Sequence, residues 1–191
     1  LTSENYIGMS RGVAVQTGSA ASVGSKTNFE TGVVANEQCG IVYVPDNNKI
    51  VIVYGDSGNS SGAGTAVVGT VSGTSISFGT PAVFRASDSE QFHVTYDTTA
   101  DKLVLSYNNK AVSSKGTAIV GTISGTNITF GAENEWISTD ANGQSIVYDT
   151  NANRTVIAYN DAANPYYGKV VVGQISGTSI SFGSIATFES A

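Results

Sequence analysis

The sequence predicts an all-β fold, a β-propeller-like array of about four four-stranded antiparallel modules of which the first is partial, and three observations carry that prediction. The pattern Val68 to Gly79 returns almost unchanged as Val120 to Gly131 and again as Val172 to Gly183, so that Phe78, Phe130 and Phe182 recur 52 residues apart. A self-similar period of roughly 50 residues marks a small supersecondary unit set in an array, in which no copy buries its apolar face alone. Each period holds four short runs of Val, Ile, Tyr and Phe bounded by Gly, Asn, Asp and Ser, which is how strands and turns are written. The composition agrees: 22 glycines, only 13% charged residues and apolar residues drawn from the β-branched and aromatic types favour strand and turn over helix.

Taken in order, the middle copy reads as segment A (Phe92 to Tyr96), B (Leu103 to Tyr107), C (Thr117 to Ile123) and D (Asn127 to Phe130, continuing weakly to Trp136). The A–B connections, at 45–49, 97–102 and 149–154, are short and rich in Asp and Asn, whose side chains bond nearby amides in hairpin loops. The C–D connection is Ser-Gly-Thr in every full copy, and Gly73, Gly125 and Gly177 are expected at positive φ in a tight hairpin. Three aromatic sets match between copies: Tyr43, Tyr96 and Tyr148; Tyr54, Tyr107 and Tyr159; Phe84, Trp136 and Phe188. Aromatics recurring at a structural period are expected in the core or between modules.

Residues 1–37 carry a worn copy, in which Gly18 to Gly24 followed by Phe29 aligns with Gly73 to Gly79 followed by Phe84. Gly12 to Gln16 then falls on C, and Tyr6 to Ser10 on B. The chain is thus expected as a single repeat domain with a degenerate partial module at 1–37 and full modules at 38–89, 90–141 and 142–191. A β-sandwich is the weaker alternative, since it does not impose so regular a period, and a parallel β-helix repeats at shorter spacing.

A net charge of −6 with nine scattered basic residues offers no footprint for phosphate backbones, and no apolar run is long enough to span a bilayer. Neither nucleic acid binding nor membrane insertion is expected. The single cysteine, Cys39, excludes an intrachain disulfide and lies in an apolar strand pattern, where a buried, inert thiol is expected. No cofactor is expected.

Comparison of copy with copy locates the variation. The A–B and C–D connections barely change, whereas the B–C connections (Gly55 to Gly64, Asn108 to Gly116, Asn160 to Gly168) and the D–A connections (Glu30 to Gln38, Arg85 to Gln91, Ser138 to Gly143) change greatly. In an up-and-down module the two variable sets emerge on one face, and loops on a rigid scaffold are where recognition residues lie. Tyr166 and Tyr167 have no aromatic counterpart in the other copies, and with Asp161, Asn164, Asp56 and Asn59 they form the candidate ligand-binding set, suited to stacking on sugars or to protein contact. The four Asp and Asn could offer oxygens to Ca²⁺, but without the spacing of a dedicated loop, so no metal site is assigned.

No catalytic residue is assigned either. His93 is the lone histidine and is expected as a packed or solvated strand residue. Asp46, Asp97 and Asp149 already have turn roles, and Arg11, Arg85 and Arg154 occupy unlike module positions and should not converge as a sialidase-like site would require. A polysaccharide-acting glycosidase remains as a third reading behind recognition and pure architecture.

The segments Gly64 to Gly79 and Tyr148 to Asp161, with the opening Leu1 to Gly8, resemble the propeller-like repeats of virion structural and tail-fibre proteins of marine bacteriophages. The resemblance implies a non-enzymatic structural or adhesive module on a virion or extracellular surface. The partners it implies are other virion or appendage subunits, a host-surface glycan or protein, and further copies of the chain in a homo-oligomer. It carries over no functional residue.

Overall fold

Antiparallel pairing accounts for the whole architecture. The computed structural model describes residues 23–58, 62–163 and 165–190, so the segments expected at Tyr6 to Ser10 and Gly12 to Gln16 lie outside the described residues. Thirteen strands follow in order: β1 (Val34–Val44), β2 (Lys49–Asp56), β3 (Ala63–Ser72), β4 (Ser75–Phe78), β5 (Ala82–Asp97), β6 (Lys102–Asn109), β7 (Lys115–Ser124), β8 (Asn127–Phe130), β9 (Asn134–Asp149), β10 (Arg154–Asp161), β11 (Tyr167–Ser176), β12 (Ser179–Phe182) and β13 (Ala186–Glu189). They trace one path, β1-β2-β3-β5-β6-β7-β9-β10-β11-β12, with β4, β8 and β13 paired beside β3, β7 and β11. The path has two ends. The fold is all-β and antiparallel as expected, and the sheet among the described residues is not closed on itself.

The hairpin chemistry follows the sequence. Gly73, Gly125 and Gly177 sit at φ 59, 64 and 64, the left-handed value that a two-residue hairpin with glycine at its first central position requires. Asp97 Oδ1 accepts the Thr99 and Ala100 amides at 2.9 and 2.8 Å, and Asp149 Oδ1 accepts those of Asn151 and Ala152. These two carboxylates are turn braces, as their position suggested.

The D–A connections differ from expectation. Arg85 to Gln91 and Ser138 to Gly143 are not loops but the middles of the long strands β5 and β9. The first half of β5 pairs with β3 (Thr65 opposite Val83) and its second half with β6 (Val94 opposite Leu105). A register shift between Glu90 and His93, with Gln91 at φ 56, turns the strand from one layer to the next, and Gly143 at φ 57 does so in β9. Unbroken ladder bonding satisfies the backbone through the passage, so no loop is needed.

The layers stack face to face and the core lies between them. One buried cluster joins Val51, Val53 and Val68 to Phe92, Leu103, Leu105 and Tyr107, and a second joins Val104 and Val120 to Ile157, Tyr159 and Val171. The middle strand β6, with a layer on either side, is buried on both faces, whereas β10 in the third full module alternates. Strands covered on both faces read as continuous apolar runs and half-covered ones as alternation, so coverage sets the burial of near-identical sequences.

Each joint is made the same way. The aromatic that follows D enters the next layer: Phe29 meets Tyr54 and Phe78, Phe84 meets Tyr107 and Phe130, and Trp136 meets Tyr159, with ring centroids 4.8 to 6.2 Å apart. The glycine closing D abuts the next hairpin. A Cβ at Gly24, Gly79 or Gly131 would approach the carbonyl oxygen of Thr74, Thr126 or Thr178 to well under 3.0 Å. The placement of Gly24 and Phe29 agrees with their alignment in the worn copy. Burying each ring contributes roughly 1.5–3 kcal/mol.

Three positions depart from their expected burial for one reason. Tyr96 and Tyr148 are buried, and their hydroxyls reach the preceding A–B loop at Asp46 (2.6 Å) and Thr99 (2.7 Å), but Tyr43 is 56% exposed. Cys39, whose counterparts Phe92 and Gln144 are buried, is exposed on the same strand. At the far end Phe188 is exposed where Phe84 and Trp136 are buried. All three stand where an adjoining layer is not present to cover them.

The two full joints are not interchangeable. Between the first and second modules Gly55 lies against the Phe92 ring. Between the second and third, the matching Asn108 and Gln144 bond each other, Ser106 Oγ donates to Gln144 Oε1 at 2.6 Å, and Asn108 Nδ2 donates to the Ala141 carbonyl at 2.6 Å. Asn108→Ala should cost about 1–3 kcal/mol by stranding the buried Gln144 amide. Urea denaturation tests this, and the combined change Ser106→Val, Asn108→Gly and Gln144→Phe, which copies the apolar joint, should recover most of the loss. A single variant as stable as the parent would show that the network carries no stability.

Burial, the largest cause in each case, raises the phenols of Tyr54, Tyr96, Tyr107 and Tyr159 above their ordinary value of 10.0, that of Tyr159 to about 12. The folded protein therefore holds these protons more tightly than the unfolded chain does. Their contribution is complete below pH 10 and is lost as pH rises from 10 towards 12. The urea midpoint should hold steady from neutral pH and fall steeply by about pH 11, in step with phenolate absorbance. A flat profile would contradict the assignment.

Candidate functional site

The B–C connections are shorter than the sequence suggested, spanning 57–62, 110–114 and 162–166 between the strands they join. They emerge at the end of the stack where β5 and β9 turn between layers, since Ser89 and Glu90 pair with Asn109 and Asn108 at the end of β6. The A–B and C–D hairpins lie at the opposite ends of the same strands. The variable loops thus share one face, joined there by the strand passages.

Of the six candidate residues, Asn59 and Asn164 lie outside the described residues. Asp56 ends β2, and its Oδ1 accepts the Gly58 amide at 2.9 Å, bracing its loop. Asp161 holds the matching position in β10 and is buried. Its Oδ1 accepts the Ala163 amide at 3.0 Å and the Thr139 hydroxyl at 3.2 Å, and its Oδ2 pairs with Lys169 Nζ at 2.5 Å. Both carboxylates serve their own loops and the second module stands between them, so the structure does not bring them into one ligand set. Among the described residues no group of three His, Cys, Asp or Glu could hold a metal ion.

Tyr166 and Tyr167 differ from each other. Tyr167 opens β11 opposite Asp161 and is half-buried, so it belongs to the ladder and not to the loop where the sequence suggested it. Tyr166 is 68% exposed and has φ 54. A bulky residue in the left-handed region is an outlier costing roughly 1–2 kcal/mol, and such strain gathers at functional sites. The phenol is thereby held out on the variable face. The middle loop also places Ser113 and Ser114 at φ 64 and 54, with small side chains that offer no such platform.

Charged residues of this face escaped the sequence reading. Lys110 Nζ lies 3.6 Å from Asp88 and 3.3 Å from Glu90, whose charges raise its pKa, the Glu90 charge most. Arg85 donates to Glu133 at 2.7 Å and to Asn109 at 3.1 Å, tying the first module to the second. Both pairings join residues far apart in sequence across a strand passage that had been taken for a loop, so no local signal marked them.

Arg85 sits at the variable end, whereas Arg154 donates to the carbonyls of Ala152 and Asn153 in an A–B loop. These two arginines do not meet, and Arg11 lies outside the described residues. His93, half-buried opposite Ser106 in β5, has its imidazole pKa lowered by burial. Asp46 receives the Tyr96 hydroxyl, so like Asp97 and Asp149 it is engaged at the other end of the strands.

No protein family, curated protein or solved structure matches the chain.

If Tyr166 is held in a strained conformation, Tyr166→Asn, which tolerates positive φ, should raise stability by up to about 1 kcal/mol, a shift of roughly 2–4 °C in Tm. Calorimetry measures this directly. A lower Tm in the variant would mean that the ring packs usefully and is not strained.

Proposed function

We propose that the protein is a non-enzymatic structural and recognition module, a propeller-like repeat body that displays variable loops to a partner. The observation that carries this reading is Tyr166, exposed and held at φ 54 on the one face whose loops differ between copies. A tyrosine ring in that setting gives a flat apolar surface with a polar edge, suited to the face of a sugar ring or to a protein contact. With a net charge of −6 and carboxylates prominent along this face, a neutral glycan or a protein fits better than a polyanion. The likeness of the repeats to those of phage virion proteins supports placing the module on a virion or extracellular surface, among other virion or appendage subunits.

A purely architectural role is favoured by a separate observation, the open layers at both ends of the stack, which suit a spacer held by neighbours. The two roles are separable by binding. Labelled protein should bind host cells or their isolated surface polysaccharide, and Tyr166→Ala with Tyr167→Ala should reduce that binding at least tenfold while leaving the circular dichroism unchanged. Equal binding by the folded double variant would remove these residues from the proposal. No binding by the parent chain to any surface tested would leave the architectural role. Glycan turnover lost on a single carboxylate substitution would overturn both in favour of a hydrolase.

A further inference from the structure

Gly183 is a glycine that the chain itself does not require. It closes segment D of the third module as Gly79 and Gly131 close D of the first and second, yet its φ is not in the left-handed region, and a Cβ there would meet nothing nearer than the Val172 carbonyl oxygen at 3.7 Å. At Gly79 and Gly131 a side chain is excluded by the next module's hairpin. At Gly183 the space that such a hairpin would fill is open.

The surrounding residues carry the same mark. Val68 and Val120 are fully buried, but the matching Val172 is 42% exposed, and Phe188 is 64% exposed where Phe84 and Trp136 are buried. Val147 and Ile185 add to the exposed apolar surface. Repeat arrays remain soluble when their terminal units carry a polar outer face, and this terminal face is apolar. Its chemistry is the donor half of a joint that the chain forms three times, by Gly24 with Phe29, Gly79 with Phe84 and Gly131 with Trp136.

Every full hairpin in the chain already has its glycine partner, since Thr74, Thr126 and Thr178 are taken. The acceptor left over in the repeat register is the worn copy. Its Val23, which aligns with Phe78 and Phe130, is 93% exposed, although those two phenylalanines pack against an incoming aromatic. One end of the chain thus carries an unused donor and the other an unused acceptor.

We infer that the Gly183–Phe188 face docks a second copy of this chain, head to tail, with Phe188 of one copy against the Val23 end of the next. A heterologous contact of this kind propagates into a ring when the rotation closes and into a filament when it does not. The inference stands apart from the proposed loop-face recognition, because its residues lie on a layer face and not on the B–C loops.

Sedimentation velocity over a range of protein concentrations tests it. The parent chain should move from its monomer mass of 19.6 kDa to at least twice that as concentration rises. Gly183→Val should stay monomeric with unchanged circular dichroism and Tm, because a side chain is accommodated within the monomer and blocks only the incoming hairpin. Gly131→Val, at the internal joint, should instead lower Tm. Phe188→Ser should weaken association without altering the fold, and Tyr166→Ala should leave association intact. A parent chain that remains monomeric at all concentrations overturns the inference, including the case in which a chain closes on itself. Association undiminished by Gly183→Val also overturns it.

Discussion

No layer of this protein covers both of its own faces, and the joint by which one layer covers the next is the constraint from which the rest follows. The joint needs a backbone that approaches a neighbouring carbonyl without a side chain between them, hence the glycine closing D. It also needs an aromatic ring a few residues later to enter the space between B and D of the next layer. Ring burial supplies the attraction, and the glycine fixes how close the layers come. Strand, hairpin and register then repeat because a layer of another shape would not meet the same neighbour.

This explains why the most invariant segment, Val-Gly-Thr-x-Ser-Gly-Thr-x-Ile-x-Phe-Gly, carries no candidate chemistry. Its first glycine gives room to Ile50 and Ile76 in the first module, its second turns the hairpin at φ 59, and its last admits the following layer. Each position is occupied by a packing or turn requirement. The B–C loops, braced only by the carboxylate or amide that ends B, are free to differ, and the strained Tyr166 stands on one of them.

Most of the fold was legible in the sequence because period, turn residues and apolar runs are local signals. The hairpins at Gly73, Gly125 and Gly177, the Asp97 and Asp149 turns and the alignment of Gly24 with Gly79 could all be read in advance. What could not be read depends on neighbours. Cys39, Tyr43 and Phe188 have buried counterparts and are themselves exposed, because the apolar pattern of a strand does not tell whether a further layer lies against it. The D–A passages read as loops because Ser, Asp, Asn and Gly at 86–91 and 138–143 are turn formers, yet ladder pairing on alternate sides holds them extended. The candidate site was legible only as a face. Tyr166 could be picked out by its singularity, whereas its backbone strain and the ion pairs of Lys110 required the structure.

The unlike joints also bear on how such a gene can change. Near-identical repeats invite recombination, and an exchange between the motif at Val68 and the one at Val120 would delete one module while keeping the reading frame and the period. The product would place Val53 and Gly55 against Gln144, a buried amide facing a surface with neither the hydroxyl of Ser106 nor the amide of Asn108 to meet it. At about 1–3 kcal/mol for the stranded group, the shortened protein would be penalised at its new seam. A polar joint beside an apolar one thus acts as a length check on a repetitive gene, disfavouring contraction without any residue being reserved for that purpose.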